Sequence, residues 1–452
     1  MNINPVIDQL PTRPADTVIA YSFKTAELSD VLKSLDQSLN GAICNLIDLG
    51  DFNGEFGQVI VLYTRGEIPA QRVVLVGMGA KGDFNLEIVR RCSAIAILKA
   101  RELKTQNVAT HLPAISNDDY SVEAVSQASV EGYLLSLYNY VSQKTKYNVK
   151  KPPRSLEILV DDGTLIDTQS GIEAGKAVVD GTLIARDLVN LPPNICDSIS
   201  MAEVASQIGQ QVDLEVNVLD EHQIAELKMG AFLGVARGSD TPPRFIIMEY
   251  KADQKEQDET IVLVGKGITF DTGGYNLKPS ENQGKMKSDM AGAAAVIGAM
   301  RAIGQLRPQV NVVGLAPVVD NMISGRAYRQ QEIVTASNGV TIEIGNTDAE
   351  GRMLLADALV YAKRYAPNAV VDIATLTGSS VVALGKVASS LFCTDDDLKE
   401  KLLSAAAETG EKLWPMPLYT EYEKAIESTS ADILNTGGKF GGVGSSAIFL
   451  KH

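Results

Sequence analysis

The sequence predicts an α/β protein built from two α/β domains, of which the C-terminal one holds a mostly parallel central sheet flanked by helices. Two observations carry this prediction. Strand-like apolar runs alternate with helix-like runs along the chain, and the length of 452 residues fits two or three domains. In the C-terminal part, the alternation of strand and helix is typical of a sheet that is covered on both faces.

The N-terminal part contains two runs that are typical of buried strands, at residues 58–63 and 72–77. Apolar residues recur at helical spacing over residues 86–102, and residues 123–141 predict a second helix. We find no catalytic constellation in this part of the sequence. We therefore expect the N-terminal domain to have a structural role, in oligomer contacts or in shielding an active site.

The region between the domains is marked by charge and by proline. Residues 144–155 are basic and contain two prolines, and a strand is predicted at residues 155–160. Residues 171–190 then predict a long helix, which ends before Pro192 because proline cannot continue a helix. We place an N-terminal domain at residues 1–165, a linker helix at 166–190 and a C-terminal domain at 191–452.

The C-terminal part repeats the alternation of strands and helices. Strands are predicted at residues 260–264, 309–315, 341–344 and 369–373. Helices are predicted at residues 290–306 and 353–365. Ligands bind beyond the carboxyl ends of the strands in such a sheet, so polar residues that follow these strands are candidates for one common site.

Composition narrows the classes of partner and compartment. The net charge of −15 argues against nucleic acid or an anionic membrane as a partner. Residues 1–16 lack the apolar core of a secretory signal, and no transmembrane run is visible. The cysteines are scattered without a C-x-x-C pair, which indicates free thiols in a reducing compartment; they are Cys44, Cys92, Cys196 and Cys393. A cytoplasmic protein is expected.

Charged side chains cluster after the predicted strands. The carboxylates are Asp271, Asp289, Asp348 and Glu350, and the cations are Lys266, Lys278 and Arg352. Four carboxylates in one site would repel strongly, which is tolerable mainly when cations lie among them. The three histidines lie outside any metal-like motif, which argues against a histidine-based zinc site. The pattern predicts a carboxylate-rich, two-metal hydrolase, and the alternative is a set of ordinary surface loops.

Three segments carry a family resemblance: residues 266–274, residues 278–292, and the heptapeptide Asn-Thr-Asp-Ala-Glu-Gly-Arg at residues 346–352. In this order they resemble the leucyl aminopeptidases, a family of cytosolic two-metal metallopeptidases for which the heptapeptide is the signature. The resemblance runs from about residue 185 to residue 450 and is weak before that.

The resemblance implies a set of metal ligands. Asp271 and Glu350 are expected to bridge two divalent ions, Asp289 and Lys266 to complete one site, and Asp348 to complete the other. Mn²⁺ or Zn²⁺ is expected, with Mg²⁺ as a further option. Because an amine ligates only when it is unprotonated, we expect burial and two cations to depress the pKa of Lys266 strongly.

The resemblance also implies a reaction on peptides. A metal-bridging water is the expected nucleophile, Lys278 acts as electrophile on the oxyanion, and Arg352 holds a bicarbonate ion as the base. A guanidinium suits a planar carbonate, while the alternative for Arg352 is a structural ion pair with a nearby acid.

Four residues match the family's pocket for the first side chain of the substrate, which implies release of leucine-like N-terminal residues; they are Met286, Thr375, Leu376 and Gly378. For Met286, ordinary core packing is an open alternative. The family further implies a homo-hexamer that acts on peptide substrates.

The chain departs from the family at a few places. Residues 329–332 replace a usual Arg-Pro-Gly-Asp, and Val443 replaces an alanine after the glycine-rich segment at residues 435–442. Family members continue beyond the last residue, so we expect part of the pocket wall and sheet edge to be missing. Two alternative functions stay open: a non-catalytic, assembly-forming family member, and another two-metal hydrolase such as a phosphatase or amidase.

Overall fold

A computed structural model describes residues 1–24, 27–113, 120–140, 143–146, 150–253, 259–438 and 440–452. The chain forms two compact units. The first contains Met1–Val179 with Glu408–Gly410, and the second contains Asp180–Ala407 with Glu411–His452. Within the predicted inter-domain segment, residues 147–149 lie outside the described residues, and so does residue 439 of the glycine-rich segment.

The first unit is built on one six-stranded sheet. Its strands are β1 (Asn2–Ile7), β2 (Thr17–Ser22), β3 (Val59–Tyr63), β4 (Arg72–Gly77), β5 (Asn107–His111) and β6 (Ser155–Val160). Their order is β1-β6-β5-β2-β4-β3, and neighbouring strands are parallel except for β3 and β4. The predicted strands of this region are β3, β4 and β6.

The helices of the first unit are α1 (Asp30–Ser38), α2 (Ala42–Asp48), α3 (Leu86–Glu102) and α4 (Val122–Ser136). Helix α3 has the predicted bounds. Helix α4 ends at Ser136, earlier than predicted, and the amide of Asn139 donates to the Leu137 carbonyl over 2.9 Å, which occupies an acceptor that the helix leaves free. The predicted last residue, Val141, lies outside the described residues.

A long helix, α5 (Leu165–Asn190), contains the division between the two units, at Val179 and Asp180. It begins earlier than the predicted start at residue 171 and ends at the predicted residue, just before Leu191 and the two prolines. The structural role of the first unit remains a prediction.

The second unit contains β7 (Glu215–Leu219), β8 (Arg244–Tyr250), β9 (Thr260–Gly265), β10 (Gly267–Asp271), β11 (Asn311–Asn321), β12 (Ile333–Thr335), β13 (Thr341–Glu343), β14 (Ala369–Ile373), β15 (Ser389–Leu391), β16 (Leu413–Pro415) and β17 (Ile433–Leu434). The main sheet has the order β14-β9-β11-β8-β7, with β10 also paired to β11. Strands β14, β9, β11 and β10 are parallel to their partners in this group, whereas β8 and β7 pair antiparallel.

The helices of the second unit are α6 (Ser198–Val212), α7 (Glu221–Glu226), α8 (Gly230–Ala236), α9 (Ser280–Gln283), α10 (Ala291–Leu306), α11 (Gly351–Ala362), α12 (Gly378–Leu384), α13 (Asp396–Thr409) and α14 (Gly442–Lys451). Helices α6 and α10 pack on one face of the main sheet, and α8 and α11 pack on the other. The predicted mostly parallel sheet with helices on both faces is confirmed. Among the described residues, no helix combines the length and apolar character that a membrane span requires.

The predicted strand at residues 341–344 does not belong to the main sheet. It is β13, which lies in a small sheet of the order β12-β13-β17. A tight turn through Asn338 and Gly339, where Gly339 has a φ of 92°, returns the chain from β12 to β13 as an antiparallel hairpin. Asn-Gly is the strongest short hairpin signal, and its presence explains the correction.

Strand β11 is longer than the predicted run at residues 309–315. It continues through Pro317 to Asn321. Proline is disfavoured inside strands, so the sequence itself gives little indication of this extension. The extension matters because Asn321 at the end of β11 reaches the candidate site.

Candidate metal centre

The site includes residues at the junction of β9 and β10 and at the carboxyl end of β10. Lys266 lies between the two strands, and Asp271 is the last residue of β10. Both side chains are buried, at 2% and 1% exposure. The backbone N–H of Lys266 donates to the carbonyl of Ile373 at the end of β14, over 3.0 Å. Three neighbouring strand ends therefore meet at this point, as expected for a ligand site of a parallel sheet.

Lys266 joins the two predicted acidic clusters. Its Nζ lies 2.9 Å from Asp289 Oδ2 and 2.9 Å from Glu350 Oε1, and it donates to the Thr375 carbonyl over 2.9 Å. Burial disfavours the ammonium, yet the charges of Asp289, Glu350 and Asp271 outweigh burial and raise the pKa of Lys266 above its ordinary value. The predicted depression of this pKa requires two adjacent cations, so it concerns the metal-loaded protein and remains a prediction.

Lys278 makes a second bridge between the acidic segments. Its Nζ lies 2.8 Å from Asp271 Oδ2 and 2.5 Å from Asp348 Oδ1. Burial opposes the charge on Lys278, but the two carboxylates raise its pKa above the ordinary value. Burial, together with the nearby charge of Glu350, raises the pKa of Asp271 to about 6.

Three carboxylates converge closely enough to share a metal ion. Each of Asp271, Asp348 and Glu350 offers an oxygen, and these oxygens all lie within 4.8 Å of one another. Oε2 of Glu350 is buried and accepts no hydrogen bond from the described residues. Buried oxygens without a partner are unfavourable, and carboxylate oxygens are the donors that hard divalent cations prefer. The residues present therefore fit a divalent metal centre.

Steric crowding explains why the heptapeptide has glycine at position 351. A Cβ on Gly351 would lie 2.4 Å from Cε of Lys266 and 2.8 Å from its Nζ. Only glycine lets the lysine side chain pass close to the first turn of α11. The heptapeptide and Lys266 are thus fitted to each other.

The heptapeptide is held in place by three residues that sequence reasoning missed. Asn321 Nδ2 donates to Asp271 Oδ1 over 2.9 Å and to the Thr347 carbonyl over 3.0 Å. The Tyr328 hydroxyl donates to the same carbonyl over 2.9 Å. Asn435 Nδ2 donates to the backbone carbonyl of residue 346 over 2.7 Å. The available signals were the position of Asn321 at the end of an apolar strand and the position of Asn435 two residues before a glycine pair, and neither signal indicates a partner.

Arg352 is buried in the first turn of α11, with 6% exposure. Its Nη2 donates to Ser446 Oγ over 2.7 Å, and the ring of Phe449 lies 5.9 Å from the guanidinium carbon. Nε and Nη1 have no hydrogen-bond partner among the described residues, and within those residues no acid lies in ion-pair range of Arg352. The ion-pair alternative is therefore not observed, and burial lowers the pKa of Arg352 to about 10.

The four predicted pocket residues differ in how the structure places them. Thr375 donates from Oγ1 to Asp289 Oδ1 over 2.8 Å, so it lies in the acidic cluster. Leu376 packs against the hydrophobic core of the second unit. Met286 is half-buried and belongs to none of the core clusters of the described residues, and Gly378 begins α12. Their role as a substrate pocket stays a prediction.

The fold and the side-chain cluster are those of a metal-dependent hydrolase, and comparisons with known proteins define the class further. Residues 183–452 match the catalytic domain of the cytosol aminopeptidase family, and residues 18–147 match the N-terminal domain of that family. The chain belongs to the cytosol aminopeptidase family, whose members are metallo-exopeptidases.

Individual relatives cover almost the whole chain. A probable cytosol aminopeptidase of Alkaliphilus oremlandii (strain OhILAs) is 40% identical over 454 residues, which span 100% of this chain and 90% of the relative. A probable cytosol aminopeptidase of Roseiflexus castenholzii (strain DSM 13941 / HLO8) is 41% identical over 418 residues, which span 92% of this chain and 85% of the relative.

Two solved structures are also similar. A mutant of tomato leucine aminopeptidase has a TM-score of 0.88 and 34% identity, and the match covers 100% of this chain and 88% of the tomato chain. The bottromycin maturation enzyme BotP, in complex with Mn, has a TM-score of 0.84 and 30% identity, and the match covers 97% of this chain and 89% of that chain.

Proposed function

We propose that this chain is a two-metal aminopeptidase that releases leucine-like N-terminal residues from peptides. The observation that carries the proposal is the convergence of Asp271, Asp348 and Glu350 within 4.8 Å, beside Lys266 and Lys278. Membership of the cytosol aminopeptidase family supports the exopeptidase activity. The similarity to tomato leucine aminopeptidase supports the preference for leucine.

The proposed metal ligands are the five residues of the cluster. Asp271 and Glu350 would touch both ions, Asp289 and Lys266 would complete one site, and Asp348 would complete the other. When bound, divalent ions supply Lewis acidity, which polarises a carbonyl group and acidifies water. The Mn in the BotP complex supports Mn²⁺, and Zn²⁺ and Mg²⁺ are the other candidates.

Lys266 must change its protonation state in this proposal. Although burial disfavours the ammonium, the charges of Asp289 and Glu350 raise the pKa of Lys266 when no ion is bound, so Nζ can act as a ligand only after it loses a proton. Added positive charge beside Nζ favours this loss, since like charges lower the pKa of an amine. Metal binding should therefore release a proton from the protein.

Lys278 keeps its proton and acts on the substrate in this proposal. Asp271 and Asp348 hold its ammonium at the edge of the cluster, and its side chain retains 16% exposure, which leaves it accessible to a ligand. An ammonium fixed in this way can donate from Nζ to a carbonyl oxygen as negative charge develops on it, which stabilises the transition state.

Arg352 supplies an anion site in this proposal. A buried guanidinium whose Nε and Nη1 have no hydrogen-bond partner among the described residues is unfavourable unless an anion binds there. Bicarbonate suits this donor set, because it is planar and accepts parallel hydrogen bonds. Bound bicarbonate would supply a general base, since the carboxylates of the described cluster contact lysines and are the proposed metal ligands.

We further propose that Met286, Thr375, Leu376 and Gly378 surround the first side chain of the peptide. The contact of Thr375 with Asp289 supports this position, because it joins the proposed pocket to the proposed metal ligands. We also propose a homo-hexamer in the cytoplasm that has no nucleic-acid or membrane partner. The names of the relatives support the cytoplasmic location. The net charge of −15 supports the absence of a nucleic-acid or membrane partner.

The test is hydrolysis of leucine-p-nitroanilide by metal-stripped protein after Mn²⁺, Zn²⁺ or Mg²⁺ is returned. We expect no activity before addition, recovery with at least one ion, and slower hydrolysis of aspartyl- and lysyl-p-nitroanilide. Asp271→Ala and Glu350→Ala should each be inactive, and Glu281→Ala, which changes an exposed acid, should be active. Activity in the stripped protein, or near-normal activity of Asp271→Ala or Glu350→Ala, would overturn the proposal.

A further inference from the structure

Ser446 is the polar side chain on α14 that reaches the guanidinium of Arg352. It is buried, at 1% exposure, and its Oγ lies 2.7 Å from Nη2 of Arg352 and 2.6 Å from the carbonyl oxygen of Gly442. The two contacts tie the first turn of α14 to the first turn of α11. Sequence reasoning gave no role to Ser446.

The direction of both hydrogen bonds is fixed by chemistry. A hydroxyl has one proton to donate. The Gly442 carbonyl can only accept, so the Ser446 proton points to it. Arginine can only donate, so a lone pair of Ser446 Oγ accepts from Nη2. Ser446 is thus a committed acceptor, and the alternative rotation of its hydroxyl proton towards Arg352 is excluded.

A second residue of α14 supports the same side of the arginine. Phe449 follows Ser446 by three positions, so both lie on one face of the helix. Its ring is 5.9 Å from the guanidinium carbon, within the range of a cation–π contact. Together these residues fix the guanidinium while they use only one of its five N–H groups, and within the described part of the chain Nε and Nη1 have no hydrogen-bond partner.

We propose that Ser446 is a positioning residue for Arg352: it fixes the guanidinium through Nη2, so that the remaining N–H groups stay preorganised for a small planar oxoanion. This inference rests on the proposed binding of bicarbonate by Arg352. Without the acceptor on Ser446, the guanidinium can turn about its own side chain and must be reordered when the anion binds.

The experiment measures bicarbonate binding calorimetrically in metal-loaded protein, alongside the dependence of kcat on bicarbonate concentration. Ser446→Ala should raise the Kd for bicarbonate roughly tenfold, the scale of one lost hydrogen bond. At saturating bicarbonate its kcat should return close to the wild-type value. Ser446→Thr, which keeps the hydroxyl, should bind with a Kd near that of the wild type.

The neighbouring Ser445 provides a matched control. It is equally buried, and its Oγ donates to the same Gly442 carbonyl over 3.3 Å, but it makes no hydrogen bond to Arg352 in the described structure. Ser445→Ala should leave the Kd for bicarbonate unchanged. If Ser446→Ala does not fold, Ser446→Cys, which fills the space with a weak acceptor, should show the same loss of affinity.

Arg352→Ala separates two kinds of failure. If it abolishes bicarbonate binding while Ser446→Ala binds as tightly as Ser445→Ala, the positioning role of Ser446 is wrong and the proposed role of Arg352 stands. If wild type and Arg352→Ala bind bicarbonate equally, or neither binds it, the proposed anion site is itself wrong and the inference falls with it.

Discussion

Asn321 and Asp271 are joined by a hydrogen bond of 2.9 Å, in which the side-chain amide at the end of β11 donates to Oδ1 at the end of β10. The same nitrogen donates to the carbonyl of Thr347 over 3.0 Å. One buried amide therefore sets the distance between the strand that carries Asp271 and the heptapeptide that carries Asp348 and Glu350. The acidic cluster is held by neutral donors as well as by its lysines.

Asn321→Asp should weaken metal binding by about 10–100-fold, the usual effect of losing a residue that orients metal ligands. The substitution conserves shape but replaces the donor to Asp271 with a carboxylate that repels it. Titration calorimetry with Mn²⁺ measures the change. Asn338→Asp, at an exposed turn where the side chain already acts as an acceptor, is the matched control. Equal Mn²⁺ affinities in the two variants would show that Asn321 does not position the ligands.

Gly351→Ala should lower both stability and activity. The added methyl would lie 2.4 Å from Cε of Lys266, so the lysine or the start of α11 has to move, and overpacking of this kind typically lowers the free energy of unfolding by about 1–3 kcal/mol. Denaturant unfolding and kcat/KM measure the two effects. Gly284→Ala, with open space around it and a negative φ, should change neither. Wild-type behaviour of Gly351→Ala would show that Lys266 does not need this close approach.

Lys278→Ala should lower kcat roughly 10²–10³-fold, the scale of losing one donor to a developing oxyanion. The bound metal should remain, because the substitution leaves all the proposed ligands in place. It also removes a positive charge that contacts two of them, Asp271 and Asp348. Steady-state kinetics and metal analysis of the same sample test both statements. A rise in KM at unchanged kcat would assign Lys278 to uniform substrate binding instead.

Metal affinity should fall as the pH is lowered through about 7 and 6. Burial, partly offset by Lys266, raises the pKa of Asp289 to about 7, and burial with the charge of Glu350 raises the pKa of Asp271 to about 6. Both carboxyls therefore take up protons in this window when no ion is bound. Protons and metals compete for the same oxygens, so the Kd for Mn²⁺ should rise at lower pH. A Kd for Mn²⁺ that is constant between pH 8 and 5 would show that protons do not compete with the metal at these two carboxyls.

Local patterns made much of this architecture predictable. The continuous apolar runs of β4 and β9 predict buried strands, and the small-residue run of α10 predicts a helix. The metal-binding chemistry of the heptapeptide is likewise predictable, because its charged residues lie within seven adjacent positions. The prediction for β13 was wrong about its sheet, because its apolar run is compatible with either sheet. The Asn338–Gly339 turn was the local signal for the hairpin that places β13 in the small sheet.

The supporting residues of the site could not be predicted in the same way. Asn321 and Ser446 act through partners that are distant in sequence, 50 residues away at Asp271 and 94 residues away at Arg352. Nothing in their immediate neighbours indicates those partners, because only tertiary packing brings them together. The charge state of Lys266 is equally non-local, since it depends on which charges surround Nζ.

Two divalent ions are proposed to bind in one cluster of side chains, formed by Lys266, Asp271, Asp289, Asp348 and Glu350. The most direct measurement is anomalous diffraction from crystals of the protein loaded with Mn²⁺. Two anomalous peaks are expected within this cluster, about 3–4 Å apart, the usual separation in two-metal sites. A single peak, or peaks that lie away from these five residues in a fully loaded crystal, would contradict a two-ion site formed by them.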